Sequence, residues 1–209
     1  MNRSKDVETP MRVREYDYHM HTRLIHGAAV TKRWDYDHHV IPPLTSSTTF
    51  RLKSVQRGVE GFVDFGSEDI PLERKVPIYI YDRLDEPTRG MLEENLALAE
   101  QGEVCVAFSC GMAAISAALG ISLQSGEEIV AHQTLYGCTY DLMTSWLPRY
   151  QIHTRWCDLR RPERLRQVVT PATRVIYFET PTNPTLELID IAAVRAIVDE
   201  LHQDREEAD

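Results

Sequence analysis

A chain of 209 residues, 43% hydrophobic and 26% charged, has the make-up of a soluble globular protein rather than a disordered one. Its formal net charge of −9 argues against a nucleic-acid partner, which requires a basic face, and no apolar run reaches the roughly 20 residues that cross a bilayer. The opening stretch from Met1 to Arg23 is too polar for a signal-peptide core, so a cytoplasmic protein with no membrane partner is expected.

Residues 1–75 read as an irregular arm contacting a neighbouring subunit. Pro42 and Pro43, a Ser/Thr run from Thr45 to Thr49 and scattered glycines interrupt any sustained periodicity. Residues 76–209 alternate strand and helix signals. Thr88 is positioned to cap a helix with Leu92, Leu96 and Ala99 at helical spacing and Gly102 as its stop. Val104 to Phe108 reads as a strand, Met112 to Leu119 as a helix of small residues, and Glu128 to Ala131 as a second strand. A helix from Cys138 to Leu147 is ended by Pro148. Gln151 to Trp156 reads as a strand, Pro162 to Val168 as a helix, and Val175 to Phe178 as a further strand. Asp190 then caps a helix with Val194, Ile197, Val198 and Leu201 on one face. Repeated strand-then-helix units imply an α/β fold, a mostly parallel sheet with flanking helices.

The four cysteines, Cys105, Cys110, Cys138 and Cys157, form no CxxC pair and are expected as buried thiols rather than disulfides or zinc ligands. His19, His21, His26, His38 and His39 fit no zinc spacing, so no metal is expected. The arginines from Arg155 to Arg166 are expected on a solvated face.

In open α/β sheets ligands bind beyond the carboxyl ends of the strands. There the Val175 strand delivers Glu179 and Asn183 in a loop stiffened by Pro181 and Pro184. Ser109, Gly111 and Met112 lie where a strand meets a helix, and free N–H groups at a helix start attract anions. Gly111 equally suits tight helix–sheet packing. Tyr79, Tyr81 and Arg83 share one side if extended, and a phenol beside a guanidinium suits a phosphate; a surface strand with one salt bridge is the alternative. Tyr136, also at the sheet's carboxyl edge, can stack on a flat ligand and move protons if neighbouring cations lower its pKa. A packed core tyrosine is the alternative there.

Taken together, YIYDRLDEPT (Tyr79 to Thr88), SCGMAAI (Ser109 to Ile115), LYGCT (Leu135 to Thr139) and ETPTNPT (Glu179 to Thr185) resemble the signatures of the Cys/Met-metabolism family of pyridoxal-phosphate enzymes. TRLIHG (Thr22 to Gly27) and the stretch from Ile41 to Phe50 are similar to its N-terminal arm. The resemblance implies an incomplete fold-type I PLP-transferase large domain, aspartate aminotransferase-like, with pyridoxal 5′-phosphate as cofactor and a sulfur amino acid as substrate. It implies that Tyr81 and Arg83 reach a neighbouring subunit's cofactor phosphate, and that Ser109, Gly111 and Met112 hold the phosphate. It further implies that Tyr136 stacks on the pyridine ring and assists departure of the γ-substituent, that Asn183 contacts the ring hydroxyl, and that Glu179 belongs to the cofactor site.

Glu86 stands where the family has asparagine and Cys110 where it has serine. Glu86 therefore brings a negative charge near the expected phosphate, which Arg83 and Arg89 can offset. Cys138, directly after Tyr136 and Gly137, resembles methionine γ-lyase and implies α,γ-elimination with Tyr136 and Cys138 as catalytic groups. O-acetylhomoserine sulfhydrylase and cystathionine γ-synthase or lyase chemistry are the alternatives. The lysines are Lys5, Lys32, Lys53 and Lys75, whereas the family's Schiff-base lysine lies beyond the segment matched. The chain is accordingly expected to be inactive alone. It would work in a homo-oligomer, with a separately encoded C-terminal half, or as a non-catalytic module docked on a full-length homologue.

Overall fold

The computed structural model describes residues 19–26, 44–52, 54–66, 80–84 and 86–206. It divides into two compact units, Met1–Ala107 and Phe108–Asp209.

In the first unit the described helices are α1 (Met20–His26), α2 (Val55–Gly66) and α3 (Pro87–Ala99). Helix α3 starts differently from expectation. Its cap is Glu86, whose carboxylate accepts the N–H groups of Thr88 at 3.0 Å and Arg89 at 2.6 Å. The cause is Pro87, which holds the residue before it extended and supplies a first helical position that needs no N–H partner. Those backbone bonds, with the Arg89 charge, leave the Glu86 carboxyl below its usual range despite partial burial, which opposes the shift. Thr88 instead accepts the Thr45 N–H on its hydroxyl at 2.8 Å.

The expected strand from Val104 to Phe108 does not form. No strand pairs with it among the described residues, and Val104, Val106 and Phe108 remain exposed. Alternating apolar residues make a strand only where a second backbone meets their N–H and C=O groups.

The second unit is built on a parallel sheet of three strands, ordered β2 (His153–Cys157), β1 (Glu128–His132), β3 (Thr173–Tyr177). β1 lies between the others, and its Ile129, Val130 and Ala131 are fully buried, as a strand covered on both faces requires. Ile129 and Ala131 pack with Leu119 of α4 (Gly111–Ser122) and with Met143. Val130 faces the opposite layer, with Leu165 of α6 (Leu165–Val168) and Val194 of α7 (Ile191–Glu206). Alternation along one strand thus feeds two cores. Helix α7 starts where expected: the Asp190 carboxylate accepts the Ala193 N–H at 3.0 Å.

The single helix expected from Cys138 to Leu147 is three short pieces. They are α5 (Gly137–Asp141), a π turn over Leu142–Trp146 and a 3-10 turn over Leu147–Tyr150 that contains Pro148. Proline has no N–H to continue the ladder but fits the first turn of a new helical segment. It therefore restarts the chain instead of ending it, and Gln151 closes the turn at φ +61°.

Only Cys157 is buried; Cys110 and Cys138 are exposed, against expectation, because each stands at a helix start facing away from the two cores. The arginine-rich stretch is heavily ion-paired. Arg155 bonds Glu128 at 2.7 Å, Arg160 bonds Asp158 at 2.8 Å and Glu187 at 2.7 Å, and Arg166 pairs with Glu200. Among the described residues no helix is long and apolar enough to cross a membrane, and no group of His, Cys, Asp or Glu could hold a metal ion.

Candidate functional site

The carboxyl ends of β1 and β3 carry the residues singled out in the sequence. After β1, Leu135 is buried in the core and leaves Tyr136 at the edge, 42% exposed, immediately before α5. After β3 the chain enters the loop from Glu179 to Glu187. Both X–Pro bonds there, Thr180–Pro181 and Asn183–Pro184, are cis.

Glu179 joins these two segments. Its carboxylate oxygens accept the backbone N–H of Tyr136 at 2.9 and 3.1 Å, and one of them accepts the N–H of Asn183 at 3.2 Å. An ionised carboxylate taking several N–H donors makes charge-assisted bonds, stronger than neutral ones. Glu179 is thus committed to holding Tyr136 and Asn183 together.

The Cys138 thiol donates to the Tyr136 hydroxyl at 3.3 Å. Once the thiol ionises the bond reverses: the sulfur accepts the phenol's proton, and that bond, together with the thiolate charge, raises the phenol's pKa. The group beside the phenol is thus a thiol and not the cation that would lower its pKa. While the thiol keeps its proton, the phenol oxygen accepts from sulfur and the phenol's own proton is free to point elsewhere.

Helix α4 brings the third element. Cys110 at its start makes no capping bond through its side chain, so the first N–H groups of the helix, those of Gly111 and Met112 among them, have no side-chain cap. A Cβ added at Gly111 would have nothing within 4 Å, so a ligand can approach the backbone closely. The Met112 sulfur accepts the hydroxyl of buried Thr139 in α5 at 3.7 Å, fastening the start of α4 to the Tyr136 segment. Ser109 is exposed just ahead of the helix. Met112, Tyr136, Cys138, Glu179 and Asn183 are therefore linked by direct bonds or through Thr139, with Gly111 beside Met112.

Tyr81 and Arg83 belong to the first unit. Tyr81 pairs with Thr49 in an antiparallel bridge, and the chain then turns, Leu84 donating to the Tyr81 carbonyl at 2.9 Å. The two side chains meet, but by this turn and not along an extended strand: the Arg83 guanidinium stands 5.2 Å from the Tyr81 ring centre. Tyr79 lies outside the described residues.

Sequence reasoning missed a polar network at the same sheet edge. His132, the last residue of β1, is fully buried. Its Nδ1 accepts the Leu159 N–H at 3.1 Å, and its Nε2 lies 3.4 Å from Glu187. Asp158, just past β2, is held to about 2 chiefly by the Arg160 side chain, against an opposing contribution from burial. The signal available was position alone: each of these residues closes or follows a strand.

The family described as Cys/Met metabolism PLP-dependent enzyme matches residues 21–203. The chain is 39% identical over 158 residues to an L-methionine gamma-lyase of Pseudomonas deceptionensis, covering 76% of this chain and 37% of that protein. It is 37% identical over 173 residues to an L-methionine gamma-lyase of Porphyromonas gingivalis, covering 83% of this chain and 40% of the relative. Among solved structures, cystathionine gamma-lyase from Lactobacillus plantarum complexed with L-serine superposes with a TM-score of 0.69 at 28% identity, over 88% of this chain and 42% of that one. The chain thus spans well under half the length of these relatives.

Proposed function

The chain belongs to the Cys/Met metabolism family of PLP-dependent enzymes, and on that premise we propose that it supplies part of a pyridoxal 5′-phosphate pocket in an enzyme of sulfur amino-acid metabolism. The reaction proposed is α,γ-elimination from methionine or homocysteine, giving 2-oxobutanoate, ammonia and a thiol. The observation that carries this reading is the Glu179 carboxylate, which ties Tyr136 to Asn183 at the strand exits.

The residues present fit the cofactor's chemistry. The uncapped start of α4 and the open space at Gly111 suit a phosphate dianion, to be taken by the N–H groups of Gly111 and Met112 with the Ser109 hydroxyl. The exposed Tyr136 ring suits stacking, and Asn183 supplies an amide for a ring hydroxyl. When bound, pyridoxal phosphate supplies an electron sink for the charge left when an amino acid loses its Cα proton. Tyr136 gives its phenolic proton to the departing sulfur, while the Cys138 thiol donates to the phenol oxygen and steadies it. Tyr81 and Arg83 serve a neighbouring subunit's phosphate, with residues 1–75 as the arm that crosses to it. The chain therefore works within a homo-oligomer, or together with a downstream half that brings the lysine. Docking on a full-length homologue is the non-catalytic alternative.

The test joins this chain to the downstream portion of the Pseudomonas deceptionensis relative and measures 2-oxobutanoate release from methionine. Release that falls on Tyr136→Phe supports the reading. Sulfide-dependent replacement without 2-oxobutanoate would assign O-acetylhomoserine-type chemistry instead.

A further inference from the structure

We propose that His132 and Glu187 form a staple across the carboxyl edge of the sheet that positions the loop bearing Glu179 and Asn183. This assignment rests on reading that edge as the cofactor-binding side. His132 closes the central strand, in register with Cys157 of β2. From there its ring reaches the exits of both flanking strands. On one side Nδ1 accepts the N–H of Leu159, past the end of β2, at 3.1 Å. On the other, Nε2 faces the Glu187 carboxylate, in the loop after β3, at 3.4 Å.

The tautomer follows from chemistry. A backbone N–H can only donate, so Nδ1 must keep its lone pair, and the ring proton sits on Nε2 directed at Glu187. The ring is fully buried. A buried polar group deprived of its partner is costly, so the side chain is held to this geometry.

Glu187 passes the constraint on. Its other carboxylate oxygen accepts from Arg160 at 2.7 Å, and Arg160 grips Asp158 through two nitrogens, at 2.8 and 3.0 Å. Its backbone exchanges bonds with fully buried Thr182: the Glu187 N–H donates to the Thr182 hydroxyl and the Thr182 N–H donates to the Glu187 carbonyl, both at 2.9 Å. Thr182 immediately precedes Asn183. The loop is thus pinned at its start by Glu179 to Tyr136, and at its end by Glu187 to His132, with Asn183 between. His132 and Glu187 touch no cofactor-facing group; they are positioning residues.

The test measures amide hydrogen exchange in the full chain, with Val130 in the central strand reporting general destabilisation. His132→Asn keeps an acceptor for Leu159 but has no donor that reaches Glu187, whereas His132→Gln restores a donor near the Nε2 position. Relative to Val130, H132N and E187A are expected to speed exchange at Thr182, Asn183 and Glu187 about tenfold, while H132Q stays within about threefold of wild type. The double variant H132N/E187A should exchange no faster than E187A alone. Equal acceleration at Val130, no acceleration, or H132Q behaving as H132N would overturn the staple. A parallel titration with pyridoxal 5′-phosphate should show about tenfold weaker binding in H132N and wild-type binding in H132Q. If wild type binds no cofactor, the functional reading fails and the exchange data still decide the staple. If the loop loosens but affinity holds, the positioning role is refuted.

Discussion

Replacing Glu179 with alanine removes the acceptor for two backbone N–H groups, Tyr136 and Asn183, from segments 43 and 4 residues away in sequence. Each is a hydrogen bond to a charged group, worth about 1.5–3 kcal/mol in a protein, and the partial exposure of this edge brings each towards the lower end. The expected loss is therefore about 2–4 kcal/mol, since exposed N–H groups recover some bonding to water. Glu179→Gln keeps one acceptor oxygen but turns an NH2 towards one of the donors, so it should lose about half as much. Urea unfolding of the full chain measures both, with the slope against denaturant checking that the unfolded reference has not changed. A loss below about 0.5 kcal/mol for E179A would place Glu179 among ordinary surface carboxylates and refute the bridge.

Asp158 and Glu128 are held to about 2, from ordinary values of 3.8 and 4.5, chiefly by their arginine partners Arg160 and Arg155. The folded carboxyls bind protons less tightly than unfolded ones, so their contribution is complete above about pH 5 and is lost as pH falls towards 2. Asp158→Asn should flatten that part of the acid-unfolding curve; an unchanged curve would deny Asp158 its share. Cys138→Ala removes the first cause of the raised Tyr136 pKa, so ultraviolet titration should find a phenol ionising at lower pH than in wild type. Leu165 is fully buried between the sheet and α7, and Leu165→Ala should cost about 2–5 kcal/mol, read as a lowered Tm. Exposed Cys110 and Cys138 should react with a thiol reagent in the native state, whereas buried Cys157, its thiol pKa raised chiefly by burial, should react only on unfolding.

How much of this was legible depended on the range of the interactions involved. The apolar run from Val175 to Phe178, which overlaps β3, the Asp190 cap and the small-residue helix after Gly111 are set by local sequence, and each was readable as such. The start of α3 was misread because Thr88 is the better capping residue by type, while Pro87 decides the position by sterics. Val104 to Phe108 has strand periodicity but no described partner strand. Tyr136, Glu179 and Asn183 were singled out because they follow strand ends in turn-rich sequence, and the structure joins the three by hydrogen bonds. The specific role of Glu179, bonding a backbone 43 residues earlier, was not readable. His132 and Glu187 were missed for the same reason: their partners become neighbours only once the strand order β2-β1-β3 is known.

The claim that this sheet edge grips a phosphorylated ring is tested most directly by comparing equilibrium binding of pyridoxal 5′-phosphate with that of pyridoxal to the full chain. If the N–H groups at the start of α4 take the phosphate, the phosphorylated form should bind at least about tenfold more tightly, and Gly111→Val should erase the difference. Equal affinity for the two, or a preference that survives G111V, would contradict it.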